Sequence, residues 1–228
     1  MSAQVKYGSG FKRASRYNPR AKSIKAGYTR SVGYYNRFTP SMTELKFYDQ
    51  PFANFPLASS AIVDNIATIP QGIGESERVG RKAIVKRIQL RILLQYEGGI
   101  VINDSAAVVR LMLVVDTQAN GSTFGGGELL TSPSADDFYG FQNLFNKDRF
   151  VVLMDRVYVI NCQANNGTQN VGGFVFDSID KSVSIPIEYS GTTGVTTEIR
   201  NNTINLVSMR ADTTDVNLKY SSRVRFLD

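Results

Sequence analysis

The chain has 228 residues, 26 Lys and Arg against 20 Asp and Glu, and a net charge of +6, enough length for one sizeable core and crowded for two. It has no histidine and one cysteine, Cys162, so the commonest general base, the commonest metal ligand, any disulfide within the sequence and any Cys-rich zinc pattern are missing. Chemistry through Lys, Asp or Glu stays open, but the composition argues against an enzyme; no catalytic residue, metal or cofactor is expected, and a reducing compartment is the simplest reading.

The first 43 residues carry nine basic side chains, Lys6, Lys12, Arg13, Arg16, Arg20, Lys22, Lys25, Arg30 and Arg37, and no acid before Glu44. That leaves 17 basic against 20 acidic groups in residues 44–228, a body of −3 behind a leader of +9. Few aliphatic residues lie in the leader, so it is expected to be a disordered arm spanning about 35 Å as a coil. Seven aromatics (Tyr7, Phe11, Tyr17, Tyr28, Tyr34, Tyr35, Phe38) interleave its charges. Stacking on unpaired bases contributes roughly 1 to 3 kcal/mol each, which points to single-stranded nucleic acid. A nuclear targeting tail or a solubilising tail is the plainer reading.

From Glu44 the hydrophobic period is two, predicting strands at 44–49, 60–69, 84–96, 107–117, 149–160, 181–189, 203–210 and 216–227. In the third, Ile84, Ile88, Leu90, Ile92, Leu94 and Tyr96 fall on one face, with Arg87, Gln89, Arg91 and Gln95 on the other. The fourth is apolar on both faces and reads as central. The last alternates through Tyr220, Arg223, Arg225 and Phe226, which reads as a C-terminal strand.

Between the second and third strands lies the Gly-rich turn of IPQGIGESERVGRKAIVKRIQLRI, residues 69–92. Gly72, Gly74 and Gly80 fit neither the dinucleotide nor the P-loop spacing, and a strand follows where both motifs need a helix N-terminus. Arg78, Arg81, Lys82, Lys86 and Arg87 cluster here. Arg78, Arg81 and Lys82 are candidates for a secondary nucleic-acid contact, against the favoured reading of a solvated face or pairing with Glu75 and Glu77. Ser132 as N-cap, Pro133, Ala135, Asp136 and Asp137 predict one short helix ending near Gly140. The two Asp residues read as helix-dipole acids before a calcium site, and Cys162 as a small buried or loop thiol.

No apolar run approaches eighteen residues, since Arg91 and Arg110 interrupt the two longest, so no membrane partner is expected. The start also lacks a signal peptide's apolar segment, and the sequons at Asn103, Asn120, Asn166 and Asn201 are expected to be chance. Eight strands with almost no helix predict an all-β, antiparallel, eight-stranded jelly-roll sandwich at 44–228 behind an extended basic arm at 1–43. An immunoglobulin-type sandwich fits worse, for want of a Cys pair or any Trp.

The 69–92 string, the basic arm, the ELKFYD run at 44–49 and the VVLMDRVYVI run around Asp155 together resemble the capsid proteins of small circular Rep-encoding single-stranded DNA (CRESS-DNA) viruses, circovirus- and geminivirus-like. Gly72, Gly74, Arg78, Gly80, Ile84, Val85 and Ile88 fill the positions of that family's turn-to-strand pattern. The arm departs from it in lacking an uninterrupted Arg tract. The resemblance implies a jelly-roll subunit, closed icosahedral self-assembly as a homo-oligomer, an arm holding a single-stranded DNA genome, and a place in the virion after assembly in the host nucleus. Other readings are a coat protein of a small or satellite RNA virus, a non-viral single-stranded nucleic-acid-binding sandwich, and a lectin-like or hydrolytic jelly roll.

Overall fold

The computed structural model describes residues 45–55, 57–96, 106–131, 137–161, 163–165, 169–171, 173–211 and 216–228. The nine basic positions of the leader, the 43/44 boundary, Asp136 and Cys162 lie outside the described residues. Eight strands, all but the four-residue β2 long, follow in order: β1 Lys46–Phe55, β2 Ile62–Asn65, β3 Lys82–Tyr96, β4 Ala106–Asp116, β5 Phe150–Asn161, β6 Phe174–Tyr189, β7 Thr203–Arg210 and β8 Val216–Leu227.

Sheet 1 has the order β1-β8-β3-β6 with the short strand Ile199–Asn201 beyond β6, and sheet 2 has the order β2-β7-β4-β5. Every ladder between these strands is antiparallel. The pairs β1 with β8, β2 with β7, β3 with β6 and β4 with β5 are those of one long antiparallel ribbon wound over itself, the jelly-roll order. All eight expected strands are present, and Ile199–Asn201 adds a ninth to the sandwich. Two small ribbons, Leu130–Thr131 with Phe141–Gln142 and Gln163–Asn165 with Gln169–Val171, lie outside the two sheets.

The main core fills the space between the sheets, with Ile88, Leu90 and Ile92 of β3 and Leu218 and Tyr220 of β8 facing Leu111 and Leu113 of β4 and Ile204 and Leu206 of β7. A second cluster lies on the other face of sheet 2, where Met112, Val114, Val207 and Met209 pack against Phe124, Leu129, Leu130 and Phe138 of the β4–β5 connection. The double apolar character of β4 thus has two causes, the central position expected from sequence and a cover from its own following loop.

Two arginines hold that cover down. Arg149 makes a bidentate pair with the fully buried Asp116 at 2.9 and 3.0 Å and also contacts Glu128. Arg110 pairs with Asp155 and donates to the Phe138 and Gly140 carbonyls, both at 2.8 Å. In the stretch expected to be helical, the described part is a single 3-10 turn, Asp137–Tyr139, and the described α-turn lies earlier at Gly126–Leu129. The Asp137 carboxylate accepts the Ala61 N–H at 2.9 Å, so it fastens the connection to the segment before β2.

Simple alternation along β3 puts Ile84 on the core face, yet it is 39 % exposed, while Ala83 and Val85 are buried. The register of β3 slips against both neighbours between Val85 and Arg87. A bulge resets the alternation there, and side chains on its far side swap faces.

At the seam between β5 and β6, Arg156 reaches Asp177 at 2.5 Å and the Tyr158 hydroxyl donates to the same carboxylate at 2.6 Å. The Tyr158 bond first, then Arg156, hold the Asp177 carboxyl below its ordinary range. Burial first, then the adjacent carboxylate, push the Tyr158 phenol up to about 12. Its folded value exceeds the unfolded value of about 10, so the contribution is complete below pH ~10 and is lost as pH rises through the folded value. Denaturant midpoints measured from pH 9 to 12 are expected to fall less steeply in Tyr158→Phe than in the parent chain.

Candidate nucleic-acid interface

The secondary cluster read from the sequence divides in the structure. Arg78 is fully buried: its Nε donates to the Ile69 carbonyl at 3.1 Å, Nη1 to Gly80 at 2.5 Å and Nη2 to Gly191 at 2.5 Å. Its guanidinium also lies 4.1 Å from the Tyr189 ring centroid. Burial lowers its pKa from the ordinary guanidinium value, against the pull of Tyr189 and Glu198. With its donors turned to three backbone carbonyls, Arg78 is a structural pin and is corrected from its candidate role as a nucleic-acid contact. Glu77, a suggested partner, instead accepts the Gly74 N–H at 2.8 Å within the turn.

The pinned junction tolerates little else. Gly194 has φ +77°, and a Cβ there would lie 2.4 Å from the Ile69 carbonyl oxygen, the oxygen that also receives Arg78. Glycine alone suits that backbone and that approach.

Arg81 and Lys82 are exposed where β3 begins, and Lys82 lies 3.9 Å from Glu188. Leu45, the first described residue, enters β1 of the same sheet. The ladders place Lys46 opposite Phe226, Phe226 opposite Val85, and Glu188 opposite Lys82, so β1 enters at the end of sheet 1 where β3 starts.

Sequence reasoning did not assemble the outer face of sheet 1, which the register brings together from four distant segments. One row across it reads Phe47, Arg225, Arg87, Ser182; the next reads Asp49, Arg223, Gln89, Asp180; the next Ser221, Arg91, Ser178; then Lys219, Leu93, Phe176. With Lys82, Lys86 and Glu188 the face carries seven cations and three acids. The rest of residues 44–228 is left with ten basic against 17 acidic groups, so positive charge is concentrated on this face of a net acidic body. The signal was in the sequence as a period of two, Arg87/Arg91 in β3 and Lys219/Arg223/Arg225 in β8. It showed that each strand has a polar face, but not that the faces join.

Two cations on the face are engaged by bidentate pairs, Arg87 with Asp180 at 2.6 Å through both nitrogens and Arg223 with Asp49 at 2.7 and 2.6 Å. The arginine bonds hold both carboxyls below their ordinary range. Among the described residues Arg91 and Arg225 make no ion pair. They line a groove of about 460 Å³ together with Ser178, Ser221 and Gln89. Arg91 sits in register between the two serines, so a guanidinium is flanked by hydroxyl donors on both neighbouring strands. That arrangement suits an oxyanion of a phosphodiester. Phe176 and Phe174, 62 % and 71 % exposed, extend the same face and offer rings to unpaired bases.

Sheet 2 presents no comparable surface among the described residues, because the β4–β5 connection lies over its outer side and Arg110 and Arg149 are consumed in holding it. Among the described residues no group of three or more His, Cys, Asp or Glu is placed to hold a metal ion.

No family model matches the chain, and no curated protein matches it. A chain in a solved structure of Desmodium yellow mottle tymovirus is similar at 10 % identity and a TM-score of 0.32, over 83 % of this chain and 90 % of that one. A similarity of that size fixes neither topology nor function, and the functional reading rests on this chain's own surface.

Proposed function

We propose that the chain is a viral coat protein whose jelly-roll body builds a closed icosahedral shell of identical subunits and whose basic leader and sheet 1 face hold single-stranded DNA inside it. The observation that carries this reading is the concentration of cations on the outer face of sheet 1, in a chain whose sequence puts a further nine basic side chains in residues 1–43. Phosphate contacts position a polyanion without reading its bases, so binding is tolerant of sequence. DNA as the genome, assembly in the host nucleus and absence of catalytic activity are parts of the proposal that follow from the resemblance and from the histidine-free composition. No helix among the described residues is long and apolar enough to cross a membrane.

Sedimentation velocity of the purified full chain, recorded at 280 and 260 nm, tests it. The expected result is a single fast species carrying excess 260 nm absorbance, with extracted nucleic acid destroyed by DNase and left intact by RNase. RNA in the particle moves the reading to a coat protein of an RNA virus. A slow species the size of one or two chains that binds single strands favours a non-viral binding module.

A further inference from the structure

The β4–β5 connection carries an apolar knob that its own subunit leaves largely uncovered. Leu144 and Phe145 are 74 % and 97 % exposed, and Phe141 beside them is 79 % exposed. The turn that presents them is firmly built: the Asn143 side chain accepts the Phe145 N–H at 3.0 Å, the Asn143 N–H donates to the Leu129 carbonyl at 2.8 Å, and the Asn146 amide donates to the Glu128 carbonyl at 2.9 Å. Large apolar side chains held out in water by an ordered turn are preorganised for a partner.

The same chain carries a matching hollow. Beyond the Arg156–Asp177–Tyr158 closure, the seam between the sheets opens into a groove of about 370 Å³ lined by Val115, Val151, Leu153, Val183, Ile185 and Pro186, with Thr117, Ser184 and Asn202 as its polar wall and Lys86 bonded to Ser184 at 3.0 Å. Phe145, at 97 % exposure, does not fill it from within its own subunit.

We infer that Phe145 and Leu144 of one copy dock into the Val151–Val183–Ile185 groove of a second copy of this chain. The inference rests on the coat-protein reading, since a shell made of one kind of subunit needs heterologous contacts, in which two different patches of the same chain meet and rotation closes a ring. An apolar knob and a largely apolar hollow on one polypeptide supply such a pair. β5 borders the groove as a 12-residue edge strand with exposed Val151, Val157 and Val159, an edge that a neighbouring subunit would cover.

The test uses full-length protein in sedimentation velocity. F145E and V183K are each expected to shift the population from the fast species to single subunits, and F145E/V183K to restore the fast species through a new ion pair across the contact. Mixing C162S chains bearing F145C with C162S chains bearing V183C is expected to give a mixed disulfide dimer on oxidation, a readout that needs no loss of folding. F145E assembling like the parent chain, or the absence of the mixed dimer from assembled particles, overturns the inference. Failure of the unmodified chain to assemble overturns the coat-protein reading instead.

Discussion

Replacing all nine basic residues of the leader by Gln is expected to flatten the salt dependence of single-stranded DNA binding by about six in the slope of log affinity against log salt. Each phosphate contact on a single strand releases counterions with a slope of about −0.7, so nine give about −6. A fourfold rise in salt then weakens a fully engaged leader by about four decades. The substituted chain keeps the sheet 1 face, so it is expected to retain a residual slope. Adding R91Q and R225Q removes two contacts and lowers that residual slope by about 1.4. Filter binding from 50 to 400 mM salt reads both numbers. An unchanged slope in the leader variant contradicts the leader's role; an unchanged residual in the double variant contradicts the role of Arg91 and Arg225 alone.

Arg78→Ala is expected to destabilise the fold far more than the loss of any exposed charge on the body. It leaves three carbonyls, those of Ile69, Gly80 and Gly191, without their donor and empties the space over the Tyr189 ring. Breaking such a buried polar network costs on the order of 3 to 5 kcal/mol, which in a chain of this size lowers Tm by roughly 10 °C. Arg78→Lys keeps a charge but not the planar fork, so it is expected to fall between the parent and the alanine variant. Arg81→Ala, three residues on and exposed, is expected to shift stability by less than about 0.5 kcal/mol. Thermal unfolding by circular dichroism separates the three, and a small effect at Arg78 would mean that the junction between the 70–80 and 190–194 loops is held by something else.

The leader and Arg78 mark where sequence reasoning reaches and where it stops. Strand identity is legible because a half-buried strand writes its burial as a period of two, and Ile88, Leu90, Ile92 and Leu94 all fall on the predicted face. The bulge near Arg87 is not legible, since a one-residue slip leaves composition unchanged, and unbroken alternation puts Ile84 on the wrong side for that reason. Arg78, Arg81 and Lys82 look alike as cations in a Gly-rich turn. Only the closure of that turn onto Gly191 and Tyr189, more than 100 positions away, separates a pin from an exposed charge. The basic face is hidden in the same way, because Arg87 and Arg225 become neighbours only through the β3–β8 register. The β4–β5 cover shows the converse: its effect on β4 is visible as a doubly apolar strand, while its cause lies in a loop without periodicity.

Division of work between a cationic surface that holds nucleic acid and a sandwich that walls it in is the central claim, and nuclease protection tests it most directly. Purified full-length particles are treated with nuclease, banded, and extracted. The account predicts a protected single-stranded DNA that bands with the protein and becomes digestible only after the particles are opened. Protein that bands free of nucleic acid, or nucleic acid fully digested while the particles stay closed, would contradict it.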